Sequence, residues 1–470
     1  MHVAEVCSPV NHDVLRDPKV HLVLGDGREF LLTTRATYDL VVSEPSSPYR
    51  AGVASLFTRD FYRAAVSRLA EGGIFLQWVQ AYEVDAQTVR TIYATLGEVF
   101  PVVESWEVQL GNLLLTGGRQ AEPDDLTRLA TLVETEPYRS ALALSWGVAG
   151  IEGLYSGFIA DGRLAAALRD GERGRVNTDD RTLIEFEFAR SVGRAGLFDA
   201  EDLFALAVAR GNGRPPLAGA TVDWNLVGEL RTVRALAEGR GTSARVKDPA
   251  LQQRLLARDA YAHGDLRAAQ EHWLAQDGGP RGPMDVTMLA ESLSATADPR
   301  ALPYIEQVRL LQPPEADALL ARWKASAGDV GAAAEHLQAA FHGCRTFPWC
   351  YRPLLARSLE LAWELTQRRP DLGAALFETL AEPFAVRTLD GQRVSTYFSI
   401  GLATDFPGRC LAAFAALEPR VPWERRVLEQ RERCYTLKHD PRAARAHADL
   451  AAFVAATPGT IDGGLRAGGR

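Results

Sequence analysis

Three short runs rich in β-branched and apolar residues, 20–24 (VHLVL), 38–43 (YDLVVS) and 74–79 (IFLQWV), are separated by stretches with helical spacing. That alternation restricts the first hundred residues to an α/β layer around a mostly parallel sheet. The first run ends at Gly25-Asp26-Gly27 and the second at Ser43-Glu44-Pro45, with a short helix expected between them. Phe61, Ala65, Val66 and Leu69 fall on one helix face over 58–69, and Gly72-Gly73 is the expected stop before the third strand. Asp85 opens a further helix reaching Val99, and 102–108 with 112–116, joined through Gly111, reads as a closing antiparallel pair.

From Pro123 to about Arg190 the pattern is mainly helical, as an appendage to this layer. One polar cluster, Asn177-Thr178-Asp179-Asp180, is read as capping a turn before the strand-like alternation from Leu183 to Phe188. The stretch 211–219 (GNGRPPLAG) has linker composition. Beyond it Ala, Leu and Arg dominate and a pattern recurs, Gly264-Asp265-x-x-Ala268-Ala269-x-Glu271-His272 and Gly328-Asp329-x-x-Ala332-Ala333-x-Glu335-His336, 64 residues apart. That separation is close to two units of the about 34-residue tetratricopeptide repeat, and Tyr261 supplies the aromatic before the turn. Residues 435–447 give a weaker echo, and a generic helical bundle is the competing reading. The expected division is an α/β domain over 1–118, its helical extension over 119–196, a helical linker over 197–250, tetratricopeptide-like repeats over 251–457 and a disordered tail over 458–470.

Composition narrows the functional classes. A formal net charge of -8 argues against a nucleic-acid surface as the main business and suits small cations or amines. The five cysteines (Cys7, Cys344, Cys350, Cys410, Cys434) lack paired metal spacing, so neither a zinc site nor a disulfide framework is expected. The simple reading is a reducing cytoplasm, with Cys344 and Cys350 as two small buried apolar residues. No run reaches the roughly 18 to 20 apolar residues of a membrane span, and residues 1–15 lack a signal-peptide pattern. His12, His21 and the histidines of the repeat region read as surface or packing residues rather than metal ligands.

The chemistry concentrates at two strand ends, since open α/β sheets bind ligands at the carboxyl edge. Asp26 is placed to accept hydrogen bonds from an adenine amino group, and Gly27 permits close backbone approach; the bland alternative for Asp26 is a turn residue. Glu44 sits in a proline-stiffened, hydroxyl-rich loop, Ser43-Glu44-Pro45-Ser46-Ser47-Pro48, where capping of the loop is its bland alternative. Gln77, Trp78, Gln80 and Tyr82 follow the third run at the same edge, and core packing explains Trp78 equally well.

Taken in order, DPKVHLVLGD, YDLVVSE, PSSP, ASLFT, RDFY and GGIF resemble the spermidine synthase (polyamine aminopropyltransferase) family over the first ~190 residues. The Ser-Glu-Pro-Ser form, with Asn177-Thr178-Asp179-Asp180-Arg181, resembles its bacterial spermidine-synthase-like subgroup, often fused to a membrane-spanning N-terminal half. The resemblance implies a partial Rossmann-type domain, like that of S-adenosylmethionine methyltransferases, followed by an all-α helical-repeat region. It implies aminopropyl transfer from decarboxylated S-adenosylmethionine, a co-substrate rather than a bound prosthetic group, to a small amine, with no metal. Glu44 then matches the proton-accepting aspartate but is one methylene longer, Asp26 and Gly27 contact the nucleoside, and Ser47, Tyr82 and Gln77 line the amine site. Ser47 replaces a second aspartate and brings no charge for a diammonium substrate. The family's first strand, glycine-rich turn and ribose-binding acid are expected before Met1, where membrane attachment would also lie. A homodimer and a protein partner on the repeats complete the expected associations. Two other readings stay open: a methyltransferase on the same fold, and a non-catalytic platform beside a protein-binding solenoid.

Overall fold

A computed structural model describes residues 2–8, 11, 13–45, 52–81, 84–109, 111–120, 123–171, 175–191, 198–237, 249–276, 278–385 and 387–456. These form two compact units, Val14–Asp259 with Gly282–Met284, and Met1–Asp13 with Ala260–Arg281 and Asp285–Arg470. The first is a Rossmann-like mixed α/β unit and the second a stack of α-helices, the fold class expected from the sequence.

In the α/β unit, β1 (Tyr38–Ser43), β2 (Leu69–Gln80), β3 (Val102–Gln109), β4 (Asn112–Gly118) and β5 (Phe158–Ala160) form one sheet in the order β1-β2-β4-β3-β5. The β1–β2 pair is parallel and the other pairs are antiparallel. Helix α1 (Gly27–Thr33) precedes β1, α2 (Arg59–Ser67) makes the β1-to-β2 crossover, and α3 (Ala86–Gly97) follows β2. The Thr58 hydroxyl accepts the Phe61 N–H and the Asp85 carboxylate accepts the Thr88 N–H, so both long helices start at side-chain caps. Phe61, Tyr62 and Ala65 of α2 and Val89, Ile92, Tyr93 and Leu96 of α3 cover one sheet face over Phe75, Val79, Leu113 and Leu115. Phe75 and Phe100 stack at 5.2 Å, a packing that needs Gly117, where an added Cβ would lie 2.7 Å from the Phe100 ring.

The Gly72-Gly73 pair lies within β2 instead of stopping a helix. Gly72 takes φ +70°, and the register with β1 jumps between Tyr38↔Leu69 and Leu40↔Ile74, so the pair forms a bulge. Residues 20–24 are not a strand, and Leu22, Val23 and Leu24 are exposed. The reason is topological. A doubly wound sheet reaches such a strand only through a central one, and among the described residues nothing pairs with the outward edge of β1. The run from Leu183 is helical, α4 (Leu183–Ser191), not a strand. The Asn177 amide oxygen receives the Ile184 N–H, and Ile184 and Glu187, one turn apart, are both buried. The 211–219 stretch packs into the unit: Leu217–Ala218 pairs in parallel with Asp124–Asp125, and the buried Asn212 accepts the Asp161 N–H through its carbonyl. Helix α5 (Trp224–Ala237) docks on the sheet through Arg234, which donates to the Glu107 and Val108 carbonyls.

In the helical unit, α6 (Leu266–Leu274) is followed by helix pairs: α7 (Pro283–Ser294) and α8 (Ala301–Arg309), α9 (Pro313–Ser326) and α10 (Val330–Cys344), α11 (Arg352–Arg368) and α12 (Gly373–Leu380). Two further pairs are α13 (Asp390–Thr404) with α14 (Phe406–Leu417), and α15 (Arg425–Leu437) with α16 (Ala443–Ala456). The recurring Gly-Asp is one turn used repeatedly. Gly264 and Gly328 take φ +81° and +88°, and Asp265 and Asp329 accept the Ala268 and Ala332 N–H groups to cap the next helix. A copy invisible as a motif lies between them at Ala297-Asp298, where Ala297 takes φ +55° and the Asp298 N–H returns to the Leu293 carbonyl. His439-Asp440, in the weaker echo, closes in the same way on Tyr435.

The cysteine expectation is corrected here. Cys344 is disulfide-bonded to Cys350 and Cys410 to Cys434, with Cα separations of 6.3 Å and 5.9 Å. The chain folds back at the 345–349 turn and at the α14–α15 connection, which brings together sulfurs 6 and 24 residues apart. This unit also buries a charged cluster: Arg357 grips Glu291 at 2.7 and 2.6 Å, and the Tyr261 hydroxyl donates to Glu291 at 2.5 Å. Nearby Glu315 accepts the Gln312 side-chain amide at 3.0 Å and the Tyr351 N–H at 2.5 Å.

Candidate active site

At the carboxyl end of the parallel pair, Ser43 of β1 is in register with Gln77 of β2, and Glu44 is the next residue along. Glu44 is exposed while Ser43 and Pro45 are buried, so the loop turns its carboxylate outward from an anchored backbone. Gln77 is fully buried. Its amide nitrogen donates to the Ser43 carbonyl at 3.3 Å and to the Trp78 carbonyl at 3.0 Å. Its Oε1 is buried and has no hydrogen-bond partner among the described residues. A buried acceptor left open is costly, typically about 1–3 kcal/mol, so a donor is wanted there. Strand alternation puts Trp78 on the opposite face from Gln77, where its Nε1–H donates to the Asn112 side chain at 3.1 Å. Ser47 and Tyr82 lie outside the described residues.

Asp26 caps α1: its carboxylate accepts the Arg28 and Glu29 N–H groups at 2.8 and 3.2 Å. Gly27 opens that helix. The next residue, Arg28, was not singled out by sequence, yet it joins three segments. Its guanidinium pairs with Asp179 and donates to the Ser55 carbonyl at 3.3 Å, while the Asp179 N–H donates to the Asp60 carboxylate at 3.1 Å. Arg28 holds the Asp179 carboxyl below the usual carboxylate range, first through their hydrogen bond, and is itself raised by that bond. Asn177, fully buried, donates to the Ala54 and Phe57 carbonyls at 3.3 and 3.1 Å. The Asn177–Asp179 loop therefore clamps the Asp26 turn against the 53–57 turn that follows the Glu44 loop. Its only signal in the sequence was the polar cluster, read as a local cap.

Among the described residues, no group of three or more His, Cys, Asp or Glu side chains converges to hold a metal, and no helix is long and apolar enough to cross a membrane. Glu44 follows β1 at the carboxyl edge of a Rossmann-like sheet, the edge at which open α/β folds bind ligands, while Asp26 follows no strand and caps α1.

Within that class the sequence matches are specific. The Spermine/spermidine synthase domain family matches residues 5–110. The polyamine aminopropyltransferase of Nitrosomonas europaea is 33% identical over 97 residues, covering 21% of this chain and 30% of that protein. Those of Alkaliphilus oremlandii and Clostridium perfringens are 27% and 30% identical over 113 residues, covering 23% of this chain and 39% and 40% of theirs. The chain thus spans between 30% and 40% of the length of these curated relatives. No solved structure matches. The first hundred residues or so are a distant relative of the polyamine aminopropyltransferases.

Proposed function

We propose that the α/β unit transfers an aminopropyl group from decarboxylated S-adenosylmethionine to a small amine. The observation that carries this reading is the pairing of an exposed carboxylate, Glu44, with a buried, unpartnered amide oxygen, Gln77 Oε1, at adjacent strand ends. An amine substrate brings N–H donors and a positive charge. It must shed a proton before its nitrogen can attack the methylene beside the sulfonium and release methylthioadenosine. A carboxylate attracts the cation and takes that proton, and an amide acceptor fixes the nitrogen's direction. Asp26 and Gly27 are assigned to the nucleoside, and Ser47 and Tyr82 to the far part of the amine.

The test is an aminopropyl-transfer assay on the full chain, with decarboxylated S-adenosylmethionine and putrescine. Methylthioadenosine should be released, and Glu44→Gln should lower kcat by ~100-fold or more. Methyl transfer from intact S-adenosylmethionine instead would replace this reading with the methyltransferase one. No thermal shift with methylthioadenosine or decarboxylated S-adenosylmethionine would remove the aminopropyltransferase reading. A second reading is favoured by Asp26, whose carboxylate is already engaged in capping α1: a synthase-derived platform beside tetratricopeptide-like hairpins that bind a protein partner. On that reading Glu44→Gln leaves the cellular role intact, and charge reversals along the hairpins abolish it.

A further inference from the structure

We propose that the helical unit is a disulfide-stapled module that matures in an oxidising compartment, with Cys344 bonded to Cys350 and Cys410 to Cys434. Three observations converge on it, none of which depends on the enzymatic reading. First, cysteine is distributed by unit: all five lie in the helical unit, and Val14–Asp259 contains none. Second, the four paired cysteines are each 5% exposed or less, and both Cα separations, 6.3 and 5.9 Å, fall in the span a disulfide bridges. Third, the staples occupy equivalent places in the architecture. Cys344 is the last residue of α10 and Cys350 lies just before α11, while Cys410 is in α14 and Cys434 in α15. Each bridge therefore ties the second helix of one pair to the first helix, or its approach, in the next.

A stack of helix pairs is held mainly by nearest-neighbour interfaces, so a covalent tie between successive pairs acts at the junction where such an array separates. Around the second staple the apolar packing is local, Phe414, Tyr435 and Ala446 enclosing Cys410 and Cys434. Four buried thiols would also pack in a reducing cytosol. Two matched pairs at equivalent junctions, α10–α11 and α14–α15, are what an oxidising compartment selects, because structural disulfides are rare where glutathione and thioredoxin keep thiols reduced. Each closure removes two thiol protons and two electrons, which pass to the disulfide of a dithiol oxidant and leave it as a dithiol. The cytoplasmic location suggested by scattered cysteines loses its basis with this pairing.

The experiment is a thiol count on the full-length protein, trapped in its own cells by acid quench and alkylated with N-ethylmaleimide after unfolding without reductant. One adduct, on Cys7, is expected, rising to five after reduction. Three or five adducts before reduction overturn the proposal. A second measurement keeps it testable if cysteine variants fail to fold: wild-type chain made in a reducing cytosol should melt roughly 5–10 °C below the same chain exported to a periplasm. Equal melting temperatures overturn it as well.

Discussion

Asn177 is fully buried and engages every polar atom it has. Its side chain bonds to Ala54, Phe57 and Ile184, and its backbone N–H donates to the Thr95 hydroxyl at 3.0 Å. Asn177→Ala leaves two carbonyls and one N–H without partners and should cost about 2–4 kcal/mol in urea unfolding of the α/β unit. Asp179→Asn removes a pair whose carboxylate is 39% exposed, and should cost under ~1 kcal/mol in the same measurement. A different residue sets a pH dependence in the helical unit. Burial, with Glu291 adding to it, pushes the Glu315 carboxyl up to about 8. A carboxyl raised in the folded state holds its proton there and loses it first in the unfolded chain. Its contribution is therefore fully present below the ordinary carboxylate range and is lost as pH rises through about 8. Glu315→Gln, which cannot ionise, should flatten the fall in melting temperature between pH 6 and 9, and an unchanged slope would refute the assignment. At this scale the sequence displayed Glu44 at the end of β1, while Asp26 follows no strand, and it could not display Arg28 or Glu315. Their roles come from neighbours 151 residues away for Arg28 and 36 away for Glu315.

The repeated turn shows what an element demands of its sequence. Ala297 holds φ +55°, where a β-carbon crowds the backbone at a cost of roughly 1–2 kcal/mol. Ala297→Gly should relieve most of that, less the greater freedom Gly gives the unfolded chain, and raise stability by about 0.5–1 kcal/mol in denaturant titration. Alanine in place of glycine also explains why this copy does not show the Gly-Asp motif although it completes the spacing between Gly264 and Gly328. Strand β1 shows the converse. Residues 20–24 and 38–43 carry similar β-branched runs, yet only the second found a partner, in β2. Composition reports a willingness to be a strand, while ladder hydrogen bonds require a neighbour. The alternation after Leu183 misled for a related reason, since four or five residues of apolar pattern do not separate period 2 from period 3.6. Edge strand β1 carries Leu40 and Val42 on one face, both more than half exposed, beside the exposed Asp39. Val42→Lys should lower concentration-dependent self-association in sedimentation experiments, because an edge strand with exposed apolar side chains is a template for pairing between molecules, and a lysine there opposes it.

At the scale of the molecule, two units of different character share one chain, and family similarity ends near residue 110, inside the first of them. The sequence made that division legible through the switch from β-branched runs to Ala, Leu and Arg. It did not show that residues 211–219, of linker composition, belong to the α/β unit, because they join it through contacts with Asp124, Asp125 and Asp161 rather than through any local pattern. Strand β2 is paired on both sides over 75–77, with β1 and β4. Read as solvent access to individual amides, that arrangement predicts an order of deuterium uptake. The β2 amides at Phe75 to Gln77 should be among the last in the α/β unit to exchange, and the amides of β1 directed away from β2 among the first. Any molecule that docks as an added strand would then slow exchange at alternate residues of β1, a footprint distinct from that of a small amine near Glu44.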